Sequence, residues 1–140
     1  MSDPRPPPSA AEKARAIVAG KVIEALRLRK NWSQTDLANA LNWGQTSRVG
    51  QATISRLESG NLLRPDAFLF RRLAEVFDLT PEQLHQHIDE ATQKTKKMVD
   101  GKGDEWWSTL AAIALGALAL YVILSMLEDG PGKGPPVPKP

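Results

Sequence analysis

Twenty-two consecutive residues, 106–127, carry no formal charge, in a chain of 140 residues of which 24% are charged. As one helix the run would extend about 33 Å, matching the hydrocarbon core of a bilayer. The alternative is burial within a globular core, which roughly 70 residues of remaining patterned sequence are too few to provide on all sides. A transmembrane helix is therefore expected at 106–127. Trp106 and Trp107 stand at its N-terminal edge, where interfacial aromatics belong, and Glu128 and Asp129 close it. Lys94, Lys96, Lys97 and Lys102 precede the run, whereas Lys133 and Lys139 follow it. This bias places the N-terminal part in the cytoplasm. Residues 2–9 are polar and proline-rich without the apolar core of a signal peptide, so targeting is expected from the C-terminal end.

Ahead of the run the apolar spacing is helical, with no strand-like alternation. Residues 1–9 form a proline-rich arm expected to be disordered. Ser9 and Glu12 make a capping box that opens a first helix reaching about Lys30. Its inner face is expected to hold Ala14, Ile17, Val18, Val22, Ala25 and Leu26, and its outer face Arg15, Lys21, Arg27, Arg29 and Lys30. Ser33, with Asp36 in the first turn, caps a second helix whose Leu37, Ala38 and Leu41 turn inward. Residues 42–50 read as a loop. A third helix covers 51–58 and stops at Gly60. Pro65 and Asp66 open a fourth, with Ala67, Phe70, Leu73, Ala74 and Phe77 at core spacing. Thr80, Pro81 and Gln83 start a fifth that reaches about Val99. The expected division is an arm at 1–9, a helical domain at 10–90, a helical extension and basic linker at 91–105, the span at 106–127 and a Pro/Gly-rich tail at 128–140.

The chain has no cysteine, which excludes a disulfide framework, thiol chemistry and thiolate metal sites. Between positions 10 and 80 eleven Lys and Arg stand against seven Asp and Glu, an excess compatible with binding phosphates. His85 and His87 are two apart on a helix and so face different ways, which is wrong for a shared metal. There is no Gly-rich phosphate loop, nucleophile elbow or converging acid pair. No enzymatic activity, cofactor or metal site is expected.

Three segments carry a resemblance: SQTDLANAL at 33–41, ATISRLESG at 52–60 and RPDAFLFRRLAEVFDL at 64–79. They resemble the Cro/C1-type, or Xre-like, helix-turn-helix family over about residues 15–90. The resemblance implies an all-α fold: a five-helix helix-turn-helix domain, here followed by a single transmembrane helix. In such units the second helix of the motif enters the major groove while the first crosses the backbone. The candidate reading face is Gln51, Ala52, Thr53, Ser55 and Arg56. Gln can bond an adenine edge, Arg a guanine edge, and Thr or Ala can meet a thymine methyl. The resemblance also brings Gln34 to phosphate or base, and Asn61 and Arg64 to phosphate. The partner implied is double-stranded DNA. The function expected is that of a sequence-specific transcriptional regulator, a repressor rather than an activator, held at a bacterial inner membrane.

One departure from the family is an insertion of about six residues at 43–48, which bears on the docking geometry. Arg48 within it is a candidate DNA contact, and Trp43 is expected to pack back on the core. Homodimerisation is suggested by small residues at Ser108, Ala112 and Gly116 and by a weak seam of Leu84, Ile88, Ala91, Thr95 and Met98. Phe68 and Leu69 are candidates to cover a partner surface. A rival reading comes from bacterial rod-shape adaptor proteins, which also join a helix-turn-helix-like domain to one span but grip a cytoskeletal filament. A non-regulatory DNA tether is a third.

Overall fold

The computed structural model describes residues 9–44, 49–62, 66–98, 117 and 119–125. Five helices follow in order: α1 (Ala10–Arg29), α2 (Gln34–Asn42), α3 (Gln51–Glu58), α4 (Ala67–Val76) and α5 (Pro81–Met98). The expected starts hold because the capping chemistry is local. Ser9 and Glu12 exchange side-chain and backbone hydrogen bonds, Ser33 and Asp36 do the same, and Thr80 pairs with Gln83. Asp66 caps α4 by accepting from the Leu69 amide at 2.7 Å.

Three helices end in one way. The residue after the cap takes a positive φ, 59° at Asn31, 83° at Gly60 and 61° at Asp78. In each case the next two amides reach back to carbonyls of the last turn. Trp32 donates to Arg27, Asn61 to Arg56 and Leu79 to Ala74. These reversals set the angles between successive helices. Sequence reasoning found only the glycine, because Asn and Asp adopt the left-handed conformation with less of a signature.

The core lies among the five helices, each of which packs on two others. α1 packs on α3 and α5, α2 on α3 and α4, and α4 on α5. Ile17 is only partly buried, whereas Ala16, Gly20, Ile23 and Arg27 are buried and share a second face. That face presses on the C-terminal end of α3. A Cβ on Gly20 would collide with the Leu57 carbonyl oxygen and stand 2.8 Å from that of Glu58. Gly60 is held as closely: a Cβ there would stand 2.9 Å from Ile17 Cα. Arg27 is therefore not on the outer face, as amphipathic spacing suggested.

Three further expectations are corrected. Trp43 is 83% exposed and does not pack on the core. Asn42, the last residue of α2, instead bonds to Val49 on the far side of the insertion. The α5 seam is used within the chain: Leu84, Ile88, Ala91 and Thr95 are buried, which removes them from a dimer contact, while Met98 is exposed. Of the pair proposed to cover a partner, Leu69 is in the core and Phe68 is outside with the Arg71 guanidinium over its ring.

Most of the apolar run 106–127 lies outside the described residues, as do residues 1–8, the hinge at 100–105 and the tail at 128–140. Among the described residues no helix is long and apolar enough to cross a membrane. The described part of the run, 119–125, is helical. Ala119 and Ile123 join the domain's buried cluster, and Leu120 and Leu124 pack against it.

Candidate nucleic-acid interface

The α2–α3 unit is built from two short helices with opposite demands on each face. Ile54, Leu57 and Glu58 of α3 are buried, along with Leu37, Ala38 and Leu41 of α2. The rest of α3 looks outward: Gln51, Ala52, Ser55 and Arg56 are exposed. Spacings of one, three and four place these side chains on one continuous polar face. Thr53 is half-buried and lines a groove with Leu41, Val49, Phe68 and Arg72, at the margin of that face. Gly50 precedes the helix without a side-chain cap, and the first turn carries no acid. The N-terminal end of α3 is thus electrostatically open to anions.

Behind the polar face lies a hydrogen-bonded chain that runs from the core to the surface. Glu58, 4% exposed at its side chain, pairs with Arg27, 11% exposed. The pair is bidentate, Nε to Oε2 at 2.7 Å and Nη2 to Oε1 at 3.0 Å, and Arg27 Nη1 also donates to the Trp32 carbonyl at 2.7 Å. The Glu58 hydrogen bond holds the Arg27 guanidinium above its ordinary pKa, against the opposing effect of burial. Glu58 Oε1 then accepts from Gln34 Nε2 at 3.1 Å. Gln34 Oε1 in turn accepts from Gln51 Nε2. Gln34 is therefore both a candidate contact and the brace of Gln51. Its amide is oriented by a buried carboxylate, which fixes which edge Gln51 meets.

The insertion leaves this geometry intact. Asn42 and Val49 exchange two hydrogen bonds, Nδ2 to the Val49 carbonyl at 2.9 Å and the Val49 amide to Oδ1 at 2.6 Å. The side-chain amide acts as a backbone pair would, closing the loop at its neck and delivering Gly50 to the start of α3. On the other side, Arg72 of α4 donates to the Ala40 and Leu41 carbonyls at 3.1 Å. A cation thus caps the C-terminal end of α2, whose own last turn has no basic residue. Both clamps escaped the sequence reading. Asn42 fell in the segment read as a loop, and the partners of both Asn42 and Arg72 are backbone atoms that no motif records.

Of the expected contact residues, Gln34, Gln51, Ala52, Ser55 and Arg56 are gathered on one side, with Thr53 at the edge. Asn61 is exposed just past α3, its Nδ2 on Ser59 Oγ at 2.9 Å. Arg48 and Arg64 lie outside the described residues. No group of three or more His, Cys, Asp or Glu able to hold a metal is found among the described residues.

Residues 23–84 match the helix-turn-helix family model. The match takes in the end of α1, all of α2, α3 and α4, and the first residues of α5. No curated protein and no solved structure matches the chain.

Proposed function

We propose that this chain is a sequence-specific, double-stranded-DNA-binding regulator that reads its site through α3 and acts as a repressor held at a membrane. The helix-turn-helix match supports the DNA-binding part. The observation that carries the reading is the polar face of Gln51, Ser55 and Arg56, braced by Gln34 onto a buried ion pair. A surface whose hydrogen-bonding groups are held in place from behind is suited to base edges, where discrimination depends on donor and acceptor positions. A filament-gripping adaptor would use large apolar or aromatic side chains there, and α3 exposes none larger than Ala52.

Repression follows from occupancy: a domain seated in the major groove blocks other proteins from the same duplex. The support for anchoring is in the sequence, namely the charge-free run 106–127 and the lysines before it, which favour a cytoplasmic domain and a single span of the inner membrane. A homodimer on a two-fold site would have to use a surface other than the Leu84, Ile88, Ala91 and Thr95 seam of α5.

The test is DNA selection with the full chain in detergent at low and moderate salt, comparing wild type with Arg56→Ala. A recovered site whose preference falls by about 1–3 kcal/mol in the variant supports base reading by Arg56. Weak binding, steep in salt and identical in both proteins, would mean phosphate contact alone and sink the regulator reading.

A further inference from the structure

We propose that residues 119–125 are an exchangeable wall of the helix-turn-helix domain, docked on it in water and withdrawn when the apolar run 106–127 enters a bilayer. The withdrawal rests on the anchoring reading above; the docking does not.

The first support is the face pattern of the segment. Ala119, Val122 and Ile123 are 0%, 5% and 2% exposed. Ala117, Tyr121 and Ser125 are exposed and recur every four residues, on the opposite side. The two hydroxyl-bearing side chains of this stretch, Tyr121 and Ser125, both lie on the outer side. A run without charge is thus still amphipathic here, as a helix lying on a protein surface is.

The second support is α1. Its buried positions, from Ala14 to Arg27, wrap about two-thirds of the helix circumference. A helix packed against two neighbours buries less than that, and α3 and α5 each take one side. Val18, Val22 and Ile23 of α1 belong to the same buried cluster as Ala119 and Ile123. Residues 119–125 therefore contribute buried side chains to the core that α1 shares with the other helices.

The docked and inserted states exclude each other. With 106–127 spanning a bilayer, residue 123 would stand about 25 Å along the helix from residue 106, towards the far side. A cytoplasmic domain cannot reach it there. The same apolar side chains are satisfied by protein core in one state and by lipid in the other, so insertion opens a face of the domain.

The chain lacks cysteine, so single thiols report cleanly. Tyr121→Cys, Ile123→Cys and the milder Ala119→Cys would be made by cell-free synthesis, with or without vesicles of phosphatidylcholine and phosphatidylglycerol. Each would then be labelled with a charged maleimide. In water, Cys at position 121 should label at least roughly tenfold faster than at 119 or 123, as expected for an exposed against a locally protected site. With vesicles all three should be protected and the chain should float with the lipid. Equal rates in water would overturn docking and leave anchoring untouched. Flotation with the labelling contrast retained would overturn the exchange alone. Failure to float would overturn anchoring and exchange together.

Discussion

Glu58 shows how much a single side chain decides in a domain this small. It sits in the last turn of α3, buried, and satisfies Arg27 and Gln34 at once. Removing one partner of such a pair leaves an unpaired buried charge, at a cost of about 3–5 kcal/mol. Glu58→Ala is therefore expected to lower the urea midpoint by a corresponding amount, measured on the full chain in detergent. Arg56→Ala, two residues away on the exposed side, should leave that midpoint within about 0.5 kcal/mol while altering site preference. The exposed polar face of α3 was legible from the family motif and from polarity. The Arg27–Glu58 pair was not, because a lone Arg in an amphipathic pattern is assigned to solvent by default. A signal did exist: Ala16, Gly20, Ile23 and Arg27 recur at steps of four and three, tracing a second inner face that ends in the arginine.

Between elements, the contacts that matter are close approaches and clamps. In an exposed helix, replacing glycine by alanine gains about 1 kcal/mol of stability. At Gly20 the sign reverses, since the added methyl meets the carbonyls that end α3. Gly20→Ala should destabilise by about 1–3 kcal/mol on thermal or urea unfolding, as overpacking does. The Asn42–Val49 clamp makes a second prediction. Asn42→Ala removes two hydrogen bonds worth about 0.5–1.5 kcal/mol each. It should also speed amide exchange at Thr53 and Ile54, whose amides bond to Gly50 next to the clamp. Element starts were readable because caps are written in neighbouring residues. The clamps were not, because Arg72 and Leu41 are thirty-one positions apart and only the folded chain brings them together.

For the molecule as a whole, the apolar run is where sequence and structure say most when taken together. Its length and lack of charge made a bilayer the natural solvent; the described portion shows that protein core can serve for part of it. A chain ending at Met98 is accordingly expected to keep the five helices but to unfold at lower urea. Ile123 alone accounts for about 1.5–3 kcal/mol of burial. An unchanged midpoint would show that the domain is complete without its last segment. The same cluster has a consequence for time. Val18 and Ile123 share one buried cluster although roughly a hundred residues separate them, and associations of such separation close late because the intervening chain must first be gathered. The last wall is thus expected to be absent from the rate-limiting step of folding. It acts as a latch on lifetime: losing it leaves refolding at its former speed and shortens the wait before the domain opens.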